Sequence, residues 1–280
     1  MCEWCTQHGD GKKWYLNMKN YSRDFLNDKA AVEELNLFLQ NVESFSGMGA
    51  QGNLVLSGIK SDEEYSQTVG GMKQMYLSMI PHKGQVVPIE DALEIFDMAG
   101  PIAKMACPCR RMYKASFAEK ACIGLGPIAF EYAKDWPDYM RGGIDYMSKE
   151  EAKEMLMGFD KKGYVHSVWR DMEAPAILGF CNCESVSCGA LGGRRTYGDM
   201  YNFFYRKAEY VAKQKFDDCI GCGKCVQRCQ FSAITHSPYL QKAIIDMKKC
   251  AGCGLCRNAC EQEAIELVPR SDVAAVRRLW

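Results

Sequence analysis

Two runs of cysteine in the last quarter of the chain have a spacing that can bind metal. The first, at 219–229, reads C-I-G-C-G-K-C-V-Q-R-C, and the second, at 250–260, reads C-A-G-C-G-L-C-R-N-A-C. Both are C-x2-C-x2-C-x3-C, both are followed by an Ala-Ile pair, and Cys250 follows Cys219 by 31 residues. A pattern that repeats to this extent indicates an internal duplication rather than an accidental match.

The spacing suits a cubane of four irons and four sulfides, which requires four thiolates around one small inorganic core. Three cysteines at steps of three can wrap one corner of the cubane, and the intervening glycines allow a tight loop. The fourth cysteine of each run reaches the other cluster, so the ligand sets are crossed. Cluster I is predicted to take Cys219, Cys222, Cys225 and Cys260, and cluster II to take Cys229, Cys250, Cys253 and Cys256. Two zinc ribbons are the alternative, but zinc sites usually separate their C-x2-C units by a longer gap.

Residues 214–268 resemble the bacterial dicluster ferredoxins, on the strength of these two motifs. The resemblance implies a ferredoxin domain over 210–268 that carries electrons, with a hairpin between the two runs and a tail over 269–280. One departure is visible. The proline that usually follows the fourth cysteine is replaced by Gln230 in one half and by Glu261 in the other.

Six of the eight remaining cysteines lie between residues 107 and 188, and four of them form two C-x-C runs. We predict a third iron–sulfur cluster here, because cysteines at strand ends can converge and Arg110 and Arg111 can compensate its negative charge. The predicted ligands are Cys109, Cys122, Cys181 and Cys183, with Cys107 and Cys188 as further candidates. A zinc site, a redox-active thiol pair and plain buried cysteines remain as alternatives.

Periodicity, capping residues and turn residues predict the elements around these cysteines. They are a helix over 88–99, a strand over 102–106, a helix over 121–134, a helix from the Ser148–Glu151 capping box to Lys162, and paired strands over 164–169 and 176–180. Two helices followed by a hairpin are the order of a winged helix. The sequence therefore predicts an α+β protein with a winged-helix-like, Cys-rich domain over 86–205.

Residues 86–192 also resemble a family of iron–sulfur proteins in which such a domain precedes a dicluster ferredoxin. The matching motifs are Cys107-Pro-Cys-Arg110, Cys122-Ile-Gly-Leu-Gly126, Ser148-Lys-Glu-Glu-Ala152, Gly163-Tyr-Val-His166 and Cys181-Asn-Cys183. The resemblance implies a ferredoxin-like protein of anaerobic metabolism.

The first 85 residues are predicted to be mostly helical, with an amphipathic helix over 30–41. Cys2 and Cys5 form a C-x2-C pair with His8 close behind, and we predict a metal site there, either a further cluster or zinc. The glycines between residues 46 and 60 lack the strand–loop–helix context of a nucleotide fingerprint.

Charge and hydropathy argue against several classes of function. The chain of 280 residues has 35 basic and 35 acidic side chains, and the helix over 149–162 mixes both signs, so nucleic-acid binding is not expected. No apolar run approaches the ~20 residues of a membrane span, and the N-terminus does not read as a secretory signal. Sixteen cysteines then indicate metal binding in a reducing cytoplasm.

These observations predict an electron-transfer protein with two [4Fe–4S] clusters and a third centre, acting as a subunit or dedicated partner of a larger oxidoreductase. The expected partner is a flavoprotein or a metalloenzyme subunit, since no hydrolytic triad or paired-carboxylate site is apparent. Two alternatives stay open: a reductase whose active-site cluster lies in the middle domain, and a redox-sensing regulator.

Overall fold

The computed structural model describes residues 13–23, 27, 29, 33, 57–78, 84–107, 109–110, 120–127, 144–170, 177–197 and 205–279. The predicted metal site at Cys2, Cys5 and His8 and the predicted helix over 30–41 lie outside these residues, apart from Glu33 of that helix. Among the described helices, none is both long and apolar enough to cross a membrane.

The middle of the chain is built on one seven-stranded sheet. Its strands are β1 (Gly84–Val87), β2 (Ile102–Met105), β3 (Cys122–Leu125), β4 (Asp145–Met147), β5 (Val165–Arg170), β6 (Ile177–Cys183) and β7 (Tyr205–Arg206). The strand order is β4-β2-β3-β6-β5-β1-β7, and all neighbours are antiparallel except β1 and β7, which are parallel. The cysteine-bearing strands β3 and β6 therefore lie side by side in the centre of the sheet.

The described helices before the ferredoxin motifs are α1 (Asp62–Ser78), α2 (Ile89–Met98), α3 (Lys149–Lys162) and α4 (Gly189–Tyr197). The capping box predicted at Ser148 and Glu151 is confirmed, with both of its hydrogen bonds present, and α3 ends at Gly163 in the left-handed conformation. The helix predicted over 88–99 is confirmed as α2. The apolar faces of α2 and α3 pack on the sheet through Ile95, Phe96, Leu156 and Phe180.

The helix predicted from residue 121 is wrong at its start, where the structure has strand β3. A short apolar run has no clear period, and β3 is held as a strand because β2 and β6 bond to its two edges. The predicted hairpin is present as β5 and β6. Because this hairpin belongs to a sheet of seven strands, the winged-helix-like arrangement is not confirmed.

The C-terminal part contains β8 (Tyr210–Gln214), α5 (Lys224–Arg228), β9 (Ile234–Ser237), β10 (Lys242–Ile245), α6 (Leu255–Asn258) and β11 (Ile265–Pro269). Strands β9 and β10 form the hairpin expected between the two motifs, and β8 pairs with β11 to join the two ends of this part. The tail after β11 packs on the same core, because Val276 and Arg270 are fully buried. The Arg270 guanidinium donates to the carbonyls of Ala208, Tyr210 and Cys250.

The C-terminal part packs directly against the sheet. Ala251 and Leu255 share one buried apolar cluster with Val86 and Val165. The Gln230 side chain adds two hydrogen bonds across this contact: it donates to the Gly163 carbonyl at 3.0 Å and accepts from the Ser185 amide at 3.0 Å. Two further contacts join α6 to the sheet domain, namely Arg257 to Glu90 and Asn258 to Asp160.

Candidate metal centres

Four thiols surround one cavity beside α5, which we call cavity I. Cys219 and Cys222 come from the loop that precedes α5, Cys225 lies in the first turn of α5, and Cys260 comes from the chain just after α6. The cavity has an empty volume of about 390 Å³, which includes some open solvent, and Ala243 and Ile265 are among its apolar lining residues. These are the four cysteines that the crossed assignment groups as cluster I.

The second cavity, cavity II, is built in the same way with the two halves exchanged. Its thiols are Cys250 and Cys253 from the loop that precedes α6, Cys256 from α6 itself, and Cys229 from the end of α5. Its empty volume is about 340 Å³, and it is lined mainly by apolar side chains. The structure thus gathers the second predicted set as well, although ligation itself remains a prediction.

Glycine is required at one position in each cysteine loop. Gly221 and Gly252 have φ values of 73° and 74°, in the left-handed region. A Cβ atom on Gly221 would lie 2.1 Å from the carbonyl oxygen of Gln241, and one on Gly252 would lie 2.1 Å from that of Tyr210. Because both carbonyl oxygens belong to the backbone, no larger residue fits, and each loop can close tightly around its cavity.

Backbone amides point at the sulfur atoms of cavity II. The amides of Ala212 and Gly252 donate to the Cys250 Sγ at 3.4 Å, and the Ala233 amide donates to the Cys229 Sγ at 3.3 Å. Such donors stabilise thiolate charge. Burial raises the pKa of the Cys253 thiol well above its ordinary value, so metal must displace protons when it enters. Four thiols, amide donors and an apolar wall fit a cubane cluster.

A third group of thiols lies in the middle domain and contains all six cysteines between 107 and 188. Hydrogen-bonding contacts link them in a closed ring, in the order Cys107, Cys122, Cys181, Cys183, Cys188, Cys109 and back to Cys107. We call this set the six-thiol group. The four predicted ligands are therefore adjacent, and the two further candidates complete the ring.

The sheet explains why these cysteines meet. Cys122 on β3 stands directly opposite Cys181 on β6, and Cys183 lies two residues further along β6, on the same face. Cys107 follows the end of β2, the other neighbour of β3. Cys188 immediately precedes α4, where its sulfur accepts from the Leu191 amide at 3.5 Å.

Arg110 supplies buried positive charge beside the ring. Its guanidinium lies 3.8 Å from Glu184 and 4.8 Å from the centre of the Tyr164 ring, and it interacts electrostatically with Cys107. Hydrogen bonds with Cys107 and Cys181 lower the pKa of Cys122 to about 5, whereas the pKa values of Cys107 and Cys181 are raised. The Cys122 thiolate is therefore stabilised by its neighbouring thiols and by the charge of Arg110.

A series of contacting polar side chains, which the sequence did not predict, lies on the opposite face of the sheet. Asn182 lies between Cys181 and Cys183, and its side chain contacts the buried His166 at 2.7 Å and donates to the Ala121 carbonyl at 3.1 Å. The other ring nitrogen of His166 lies 3.7 Å from Asp160, which accepts from Asn258 of α6. The signal available in the sequence was the polar residue between two cysteines of a buried strand.

The six-thiol group and cavity II meet at the domain contact. Cys183 and Cys188 belong to the buried cluster that also holds Ala251 and Leu255, and Cys181 and Cys253 pack against it. Among the described residues, no three or more His, Cys, Asp or Glu side chains are arranged to hold a single metal ion.

Residues 207–265 match the family described as the 4Fe-4S dicluster domain. No curated protein matches the chain significantly. The C-terminal part is accordingly a ferredoxin-type domain for [4Fe–4S] clusters, and the chain is an iron–sulfur electron-transfer protein.

Proposed function

We propose that this chain carries electrons as a subunit or dedicated partner of a larger oxidoreductase. We place it in the cytoplasm of a cell with anaerobic metabolism. The observation that carries the proposal is the pair of cavities, each with three thiols from one half of the repeat and one from the other. A [4Fe–4S] cluster bound there supplies reversible one-electron chemistry. The sixteen cysteines support a reducing compartment, where thiols persist.

The residues of the chain hold and shield such a centre rather than perform acid–base chemistry. Cys219, Cys222, Cys225 and Cys260 would bind in cavity I, and Cys229, Cys250, Cys253 and Cys256 in cavity II. The amide donors at Cys250 and Cys229 stabilise negative charge on sulfur, while Ile234 and Ile265 help to keep water out. Both effects influence the reduction potential.

We further propose a third iron–sulfur centre in the six-thiol group. Cys109, Cys122, Cys181 and Cys183 are the first candidates for ligands, and Cys107 and Cys188 lie within the same ring. Arg110 would offset the negative charge of the centre. Its position beside cavity II would extend the electron path from the ferredoxin domain into the sheet domain.

A reductase is the second candidate function, and one observation favours it. A cubane takes four thiolates, whereas the group contains six. Two thiols could therefore remain for exchange with a disulfide or a small molecule. A reductase of this kind would show substrate-dependent oxidation of the reduced protein, which a plain carrier would not.

The crossed ligand sets can be tested by combining substitutions in the full chain, assembled anaerobically. We expect Cys222→Ser and Cys260→Ser each to lose about four irons, and the double variant to lose no more, because both thiols line cavity I. The double variant of Cys253→Ser with Cys260→Ser should lose about eight. The opposite pattern of additivity would show that the ligand sets are not crossed.

The same preparation tests the third centre. Iron analysis and electron paramagnetic resonance should give about twelve irons for the full chain and about eight for Cys122→Ser. About eight irons in both proteins, or zinc in place of the missing iron, would leave a carrier with two clusters only.

A further inference from the structure

The two halves of the ferredoxin repeat differ in what covers them. In the second half, Ala251 and Leu255 are each only 1% exposed, because they pack against the sheet domain. The equivalent positions in the first half are Ile220 and Lys224, and the Ile220 side chain is 67% exposed. One face of the repeat is thus covered by protein at cavity II and open at cavity I.

Several apolar side chains surround the open position. The close approach of Gly221 to Gln241 places the turn between β9 and β10 against the cysteine loop. That turn carries Tyr239, 93% exposed, and Leu240, while Phe216 lies at the start of the loop, with the Lys242 ammonium 4.7 Å from its ring. We call Phe216, Ile220, Tyr239 and Leu240 the cluster I face.

One thiol of cavity I lies at the surface beside this face, since Cys222 and Ile220 line the same cavity. Cys222 is exposed, whereas its counterpart Cys253 packs against the buried cluster that contains Cys183 and Cys188. Electrons passing between cavity I and another protein therefore have a direct route through the loop of Cys222. Cavity II is instead oriented toward the six-thiol group.

We propose that the cluster I face is the docking surface for a one-electron redox protein with its prosthetic group near its own surface. This rests on the proposed function, in which cavity I holds a cluster. The pseudo-equivalent surface of the second half already forms a contact between two domains, and exposed apolar residues that cluster together mark interaction sites. Charges of both signs surround the face, such as Asp217 and the Lys224–Glu261 pair, so apolar contact rather than electrostatic steering defines it.

The test uses the holoprotein with photoreduced bacterial flavodoxin and with reduced methyl viologen as electron donors. The variant combines Tyr239→Ser with Leu240→Ser, uncharged substitutions at exposed positions of this face that do not line cavity I. The control combines Tyr146→Ser with Met157→Ser, exposed apolar residues on β4 and α3. We expect the second-order rate constant with flavodoxin to fall at least about fivefold in the variant only, and the rate with methyl viologen to be unchanged.

Binding supplies a second readout that does not depend on electron transfer. Hydrogen–deuterium exchange of the holoprotein should slow over residues 216–224 and 237–241 when flavodoxin is added. Three results would overturn the proposal: equal flavodoxin rates in variant and control, an equal fall of the flavodoxin and methyl viologen rates in the variant, or protection only outside these two segments. The proposal would also be overturned if the wild type formed a dimer and the variant did not, because the face would then be a contact between two copies of the chain. Loss of the proposed function itself would be seen beforehand, as iron content below about eight per chain.

Discussion

At the scale of single residues, the departure from the ferredoxin pattern at Gln230 has a structural explanation. Where proline usually follows the fourth cysteine, the Gln230 side chain joins the ferredoxin domain to Gly163 and Ser185 of the sheet domain. In the other half, Glu261 pairs with Lys224 at the surface at 2.5 Å. A proline could make neither contact, so the two departures serve different purposes, and the one at Gln230 belongs to the domain contact.

Glu209 makes stability depend on pH. Burial raises the pKa of its carboxyl group to about 7, against partial compensation by Arg206, Gln85 and Arg270. The folded chain therefore holds a proton that the unfolded chain releases near pH 4.5, and the free energy of unfolding falls as pH rises from about 4.5 to about 7. This contribution amounts to about 3 kcal/mol at most.

The variant Glu209→Gln keeps an amide oxygen for the hydrogen bond from Gln85 and removes the titration. We expect the two proteins to have similar denaturant midpoints near pH 5, and the variant to become the more stable one by about 1–3 kcal/mol above pH 7.5. Parallel stability curves for the two proteins between pH 5 and 8 would contradict this assignment.

At the scale of elements, the sheet depends on a glycine in β1. A Cβ atom at Gly84 would lie 2.7 Å from the ring of Trp169, which is stacked on Tyr205 with ring centres 5.3 Å apart. We expect Gly84→Ala to displace the Trp169 ring and to lower the free energy of unfolding by about 1–3 kcal/mol. Equilibrium denaturation of the holoprotein, followed by tryptophan fluorescence, measures this.

Gly158 in α3 provides the matched comparison. No atom lies within 4 Å of a Cβ atom built there, and the residue is in the interior of a helix. Gly158→Ala should therefore raise the free energy of unfolding by roughly 0.5–1 kcal/mol. If both substitutions destabilised to the same extent, space around the glycine would not be the cause.

The sequence predicted the elements that follow from local rules and missed those that depend on long-range contacts. The cysteine repeat, the β9–β10 hairpin, α2 and the capping box of α3 follow from local rules of spacing and capping, and the structure shows each of the local elements. Strand β3 could not be recognised, because its conformation is imposed by β2 and β6 from distant parts of the chain. The pairing of β2 with β3 also places Cys107, two residues beyond β2, near the other thiols. The spacing of the cysteines did not decide whether Cys107 and Cys188 belong to the six-thiol group.

The C-x-C run on β6 directs two thiols toward the same side of the sheet. On β6 the ordinary alternation of a strand is sufficient, since Cys181 and Cys183 are two residues apart and share a face. Asn182 between them points to the opposite face, where it contacts His166. The motif thus supplies thiols on one side of the sheet and a polar anchor on the other.

At the scale of the whole molecule, the domain contact should make the two clusters unequal in chemical lability. Cavity I has the exposed Cys222 at its edge, whereas cavity II lies under the sheet domain through Ala251 and Leu255. With an iron chelator we expect a fast phase of about four irons and a slower release of the rest. Absorbance of the iron–chelator complex measures both phases.

Gln230→Ala should accelerate only the slow phase, because it removes two hydrogen bonds of about 1 kcal/mol each from the contact that covers cavity II. An increase of roughly fivefold or more is expected if release requires local opening. Glu261→Ala, which removes only an exposed ion pair, should leave that phase unchanged. A single phase in the wild type would show that the contact does not protect cavity II.

The exchange of one thiol between the halves of the repeat also has a consequence for the timing of biosynthesis. The loop at 219–225 emerges from the ribosome first, yet cavity I lacks its fourth thiol until Cys260 has been synthesised. Cavity II has all four of its thiols slightly earlier, once Cys256 has been synthesised, because Cys229 already precedes it in the chain. Neither half can therefore mature as an independent unit while translation proceeds, and the cellular machinery that delivers iron and sulfide must act on a chain that already extends through both halves.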